Sequence, residues 1–157
     1  MVAIVFIGVL FMGTLPKFSN LTVDARNAAN QALSDTLQTT IENAHKAWVS
    51  GGAPTIATGS NVVVDGQVIH VNYMGWPDNS KGVLPIAADC AILWNTLLNN
   101  APIAGCVSCR EPCTSTATNG CYITSAKGTS CTFILSTNPG ISIEYSLGAG
   151  IVVGTAE

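Results

Sequence analysis

The first fifty residues read as one helix with two characters, and that constrains what the rest of the chain can do. Met1 to Leu15 carry no charge and no amide and are apolar nearly all round. From Lys17 the pattern changes. Phe18, Leu21, Ala25, Ala28, Ala32, Leu37, Ile41, Ala44 and Trp48 recur at steps of three to five residues, the spacing expected for one helical face. Asp24, Arg26, Asn27, Gln31, Asp35, Gln38, Glu42 and Lys46 fall between them as a polar face. Gly51 and Gly52 supply the stop and Pro54 follows. At roughly 1.5 Å per residue such an element is about 75 Å long.

Three readings compete for the apolar start. A cleaved signal peptide lacks its basic leader and its small-x-small cleavage site before Pro16. A complete membrane span needs about 20 apolar residues, more than Met1–Leu15 provide. The favoured reading is an anchor whose first residues precede Met1, because the helix continues past the apolar block in register. Pro16 removes one backbone hydrogen bond and crowds the preceding turn, so a bend or local melting is expected there, with Gly8 and Gly13 weakening the same stretch.

The run MVAIVFIGVLFMGTLPKFSNLTVDARNAANQALSDTL resembles the start of type IV pilins, above all the mannose-sensitive-haemagglutinin pilins, through its apolar run followed by PKF-x-NL and DAR. The resemblance implies about six further residues before Met1, ending the run usually written FTLIEL, and so about 21 apolar-dominated residues, enough to span a bilayer. It places the prepilin cleavage site, the methylated first residue and an assembly glutamate in that missing piece. It also implies an assembly helix through Met1, Val5, Gly8, Leu10, Gly13, Pro16 and Phe18, with a stretch within Val9–Leu15 that melts in the filament.

Composition agrees with a chain whose apolar surface is covered in part by something other than itself. Only 10% of residues are charged, against about 25% in ordinary soluble domains, and mean hydropathy is +0.41. The net charge of −3 and six scattered basic residues give no patch for nucleic acid. The six cysteines, Cys90, Cys106, Cys109, Cys113, Cys121 and Cys131, lie in a stretch rich in Thr, Ser, Asn and Gly, which suits disulfides in an oxidising compartment. Their spacing does not form paired zinc knuckles, and neither histidine follows a C-x-x-C.

Beyond the helix, Ala53–Ser60 reads as a connector. Asn61–Val64 and Gln67–Asn72 around Asp65-Gly66 read as a hairpin, and Tyr73–Pro77 as a turn. A short helix is expected over Ala87–Asn99 with Ile92, Leu93, Leu97 and Trp94 on its buried side. Cys131–Ser136 and Ile141–Ser146 read as a second hairpin, and Ile151–Val153 as a last strand. The segments DCAILWNTLLNNAP and CTFILSTNPGISIEYSLGAGIVVG are similar to the corresponding helix and strands of those pilins. The fold class this implies is α+β, a long helix packed by its second half on an antiparallel sheet of about four strands. The parts are an anchor over 1–15, an amphipathic half-helix over 16–52 and a globular head over 53–157. By the same resemblance Cys90 pairs with Cys131, while Cys106, Cys109, Cys113 and Cys121 staple a polar insertion in a pairing left open.

His45 is expected on the polar side of the helix near Glu42, and His70 in a strand. Asp78, Asp89 and Glu111 read as isolated carboxylates, and Ser108 and Cys109 have no base beside them. Trp48, Trp76 and Trp94 read as core and turn packing in preference to a sugar platform. No catalytic, cofactor or metal site is assigned. The expected function is the major subunit of an extracellular type IV pilus for surface attachment, held in the inner membrane before assembly. Its expected partners are itself, the prepilin peptidase and the pilus assembly machinery. The alternatives are a type II secretion pseudopilin, a minor pilin or tip adhesin, and, most distantly, a soluble binding module.

Overall fold

The computed structural model describes residues 2–57, 59–81, 83–99, 101–106 and 121–156, with the side chains of 2–22 excepted. Helix α1 spans Val2–Ser50 and is followed by a two-stranded hairpin, β1 (Ser60–Val64) and β2 (Gln67–Val71). Helix α2 covers Ala87–Leu97. A five-stranded sheet follows in the spatial order β3 (Ala104–Gly105), β4 (Tyr122–Lys127), β5 (Ser130–Leu135), β6 (Ser142–Ser146) and β7 (Ile151–Thr155). The chain is α+β. Four strands run antiparallel as expected, but β3 joins the sheet edge in parallel, and the β1–β2 hairpin stands apart as its own sheet.

Local chemistry explains the turns. The β1–β2 turn puts both Asp65 (φ 50°) and Gly66 (φ 81°) in the left-handed region, the conformation a two-residue Asp-Gly hairpin requires. The β5–β6 turn is tied by Asn138, whose backbone N–H donates to Leu135 O (3.1 Å) and whose carbonyl accepts from Ile141 N (3.0 Å). At the start of α2, Asp89 reaches back to accept the Ile86 N–H at 3.0 Å and supplies a negative charge where the helix dipole favours one. The core side of α2 is Cys90, Ala91, Leu93, Trp94 and Leu97, whereas Ile92, expected inside, is 52% exposed. Position 92 lies about 200° of helix rotation from 90 and 94, so burying those two turns Ile92 outward.

The first helix corrects a larger expectation. Its covered positions are Asn30, Ser34, Leu37, Ile41, Ala44 and Trp48, a regular alternation of steps of four and three, while Ala25, Ala28 and Ala32 are exposed. The step from Ala32 to Leu37 is five residues, which rotates the chain by about 140° beyond a full turn. The apolar stripe read from sequence is therefore two stripes on different sides of α1. The upper part of the sheet-facing side is polar, and amides do the docking there.

Asn30, 3% exposed, donates to Thr155 O (3.0 Å) on β7 and accepts the Tyr122 hydroxyl (3.1 Å) from β4. Two turns on, Gln38 accepts from Val152 N (2.8 Å) and donates to Gly150 O (3.1 Å), satisfying the outer edge of β7. Gly154 lies so close to Ser34 that a Cβ there would stand 2.8 Å from its Oγ, and this fixes how near β7 comes to the helix. Asn30→Ala removes these bonds together with a longer one to Ser142 O (3.4 Å), and strands the Tyr122 hydroxyl inside. The expected cost is about 1–3 kcal/mol, read as a shift in the urea midpoint of the head.

α1 runs unbroken through Pro16, so the expected kink or melting does not appear as an interruption of the helix in the single chain. Proline deletes one rung of the ladder, and its neighbours keep the rest.

Candidate functional site

The surface that sets this molecule apart is the side of α1 turned away from the sheet. Ala25, Ala28, Ala29, Ala32, Thr36 and Thr39 are all exposed there. Thr36 Oγ1 donates to Ala32 O (2.7 Å) and Thr39 Oγ1 to Asp35 O (2.8 Å). With the hydroxyls spent on their own helix, the threonines present methyl groups, and the strip behaves as a row of small apolar side chains. Charged groups are held off this row. Asp35 accepts from Gln31 Nε2 (2.9 Å), and Glu42 pairs with Lys46 (3.8 Å) farther along. A strip this low lets another backbone approach closely.

Of the assembly positions named from sequence, Met1 lies outside the described residues. Val5, Gly8, Leu10, Gly13, Pro16 and Phe18 lie on the α1 backbone, and their side chains are outside the described ones. Among the described residues, no helix is long and apolar enough to cross a membrane.

The other end of α1 is locked to the head by aromatic packing. His45 was expected on the polar face beside Glu42, but it stacks on Trp76 (centroids 3.9 Å apart, 14° between planes) and more loosely on Trp48 (5.5 Å). Its Nδ1 donates to Gly75 O at 3.2 Å. Gly75 (φ 80°) lets Trp48 lie flat against backbone, since a Cβ there would stand 2.3 Å from that ring; Gly150 (φ 68°) does the same for Trp76. Asn72 organises the intervening turn. It donates to Leu147 O (2.9 Å) and accepts from Met74 N (2.9 Å) and Trp76 N (3.1 Å). Tyr145 donates to Pro77 O (2.9 Å) from below. Burial pushes the hydroxyls of Tyr145 and Tyr122 up, the nearby Asp78 adding to the effect at Tyr145, so both remain donors well above neutral pH. Sequence reading marked 73–77 as a turn but missed that Asn72 holds it; an Asn just before a Gly-aromatic-Pro turn was the available signal.

The Cys90–Cys131 disulfide joins α2 to β5 (Cα–Cα 5.6 Å), the pairing implied by the resemblance. Cys106 and Cys121 are buried and also disulfide-bonded. Cys106 stands just after β3 and Cys121 just before β4, and because these neighbouring strands run parallel the two cysteines lie at opposite ends of the short pair. Cys109, Cys113, Ser108 and Glu111 lie outside the described residues.

The three tryptophans pack as core and turn. Trp94 is fully enclosed between Tyr122 and Phe133, and Trp48 Nε1 donates to Pro54 O (3.3 Å). His70 Nδ1 bonds the carbonyl of Asp78, and the Asp78 carboxylate accepts from Ser80 N (2.7 Å) and Ser80 Oγ (2.8 Å). Among the described residues no group of three or more His, Cys, Asp or Glu side chains could hold a metal ion. A further pocket of about 290 Å³ opens beside Tyr73, Val83 and Leu84, with an apolar rim. No protein family, curated protein or solved structure matches the chain.

Proposed function

We propose that this chain is the major structural subunit of an extracellular filament of the type IV pilus kind, similar to the mannose-sensitive-haemagglutinin pili and serving surface attachment. The observation that carries the reading is that α1 has two apolar sides. One is covered by the sheet at Leu37, Ile41, Ala44 and Trp48, and the other, Ala25 to Ala32, is left open by the head. The open side continues, by helical spacing, into Leu21 and Phe18 and the apolar run before Pro16. Copies of α1 packed side by side would cover it. A head-to-tail repeat of that contact that does not close on itself generates an open helical filament. Before assembly the same apolar segment, with the residues that the resemblance places before Met1, would sit in the inner membrane, where the prepilin peptidase and the assembly machinery act. Such a subunit needs no catalytic residue, and its shared helices account for the low charge of the sequence.

The test pairs a surface substitution with electron microscopy. Ala28→Glu with Ala32→Glu alters two exposed positions, so head stability is expected to change by less than about 0.5 kcal/mol per site. Material sheared from cells should contain filaments dominated by this chain in the parent and none in the double variant. Normal filaments carrying both glutamates would sink the proposal. A protein that stays in the envelope in both cases would instead favour a pseudopilin or a minor subunit. In the assembled filament, helical order throughout Val9–Leu15 would remove the expected melting.

A further inference from the structure

We propose that the cleft between the β1–β2 hairpin, the 77–81 segment and α2 binds a small hydroxylated carboxylate, a sugar acid of the uronate class. The inference uses the head alone and does not depend on the filament reading.

The cleft has two adjoining parts that share Asn61, His70 and Lys81. The outer part, about 300 Å³, is completed by Gly59 and Ser60, and among the described residues none in its wall is acidic. Lys81 is its cation. Among the described residues the one ion pair is Lys46–Glu42, so no described carboxylate neutralises the Lys81 ammonium. Lys81 also holds a left-handed backbone (φ 54°), a conformation that is strained for a non-glycine residue and is concentrated at functional positions. A carboxylate placed here meets the Lys81 ammonium and the Asn61 amide.

His70 sets the second requirement. Its Nδ1 faces the Asp78 carbonyl, which can only accept, so Nδ1 carries a proton and in the neutral ring Nε2 offers a lone pair. Gly59 is what brings the ring to the cleft wall, since a Cβ at that position would stand 2.7 Å from the His70 Cε1. A lone pair beside an ammonium asks for a ligand hydroxyl next to its carboxylate. The inner part, about 290 Å³, continues the pattern with Asp78, Asn79 and Thr96, mostly acceptors and amides suited to further hydroxyls, over an aliphatic wall of Val68, Ile69 and Leu93. Asp78 would repel an anion placed in the inner part, so the ligand binds carboxylate outward and hydroxyls inward. A bare carboxylate or a neutral sugar satisfies only one half.

Isothermal titration of the full chain in detergent micelles with D-glucuronate, D-glucose and acetate reads this directly. Glucuronate is expected to bind saturably, with the other two at least about tenfold weaker. Lys81→Met keeps the exposed stem and removes the charge, and should weaken glucuronate about tenfold. Asn61→Ala, also exposed, should weaken it less. A disaccharide ending in glucuronate distinguishes chain ends, if it binds more tightly, from the free acid, if it does not. Equal binding of glucose and glucuronate, no effect of Lys81→Met, or no saturable glucuronate binding by a head whose circular dichroism is native would each overturn the assignment.

Discussion

Trp94→Ala is expected to lower the stability of the head by about 3–5 kcal/mol, the range for truncating a fully enclosed aromatic residue. Trp94 has no exposed surface, and its ring centroid lies 4.7 Å from that of Tyr122 and 4.5 Å from that of Phe133. Removing it leaves a cavity where α2, β4 and β5 meet. It also leaves Pro102 O without the indole N–H that donates to it at 2.9 Å, next to the strand that opens the cysteine-rich insertion. The two costs separate experimentally. Trp94→Phe keeps much of the ring volume but not the donor, and should cost about 1–3 kcal/mol. Urea unfolding of both variants checks the pair. A loss below about 1 kcal/mol for the alanine variant would mean that this junction is not where the head is held together.

The second large effect belongs to the disulfide between α2 and β5. With a sequence separation of 41, the chain-entropy relation gives about 4 kcal/mol for the Cys90–Cys131 crosslink, arising from the restriction it places on the unfolded chain. Both cysteines are enclosed, so Cys90→Ala with Cys131→Ala also removes buried sulfur. For a head of this size the thermal midpoint should fall by roughly 15 °C. Because the effect lies largely in the unfolded state, the folded double variant should give an unchanged far-ultraviolet spectrum while its unfolding slope in urea rises. A fall of less than about 5 °C would contradict the calculation.

Much of this architecture is legible in the sequence wherever one residue type has one local use. Asp65-Gly66 identifies the first hairpin, because few other pairs take two left-handed positions in succession. Gly51, Gly52 and Pro54 mark the end of α1. Strand β4 escaped notice because its alternation is inverted. Ile123 points outward, while Thr124 points in and donates to Ala87 O at 2.8 Å, so the polar residue is the buried one. β3 escaped because two residues make no pattern. The helix face was misjudged for the same reason as β4. Gln38, a docking residue, reads as polar surface and its fellow Asn30 has no assigned face, whereas Ala25, Ala28 and Ala32, which read as core, are open. His45 shows the limit most plainly: its partners Trp76 and Gly75 lie some thirty residues away in sequence, and nothing near His45 announces them.

The clamp between α1 and β7 has a consequence for how the head forms. Asn30 and Gln38 sit in the first element of the fold and find their partners on its last, at Thr155, Gly150 and Val152. Contacts between residues more than a hundred positions apart close late, because the intervening chain loses its freedom before the contact rewards it. The hairpin and α2 can reach their local structure early, but the middle of α1 keeps its sheet-facing side open until β7 arrives. During that interval both sides of the middle of α1 are uncovered, and only closure of the last strand tells them apart.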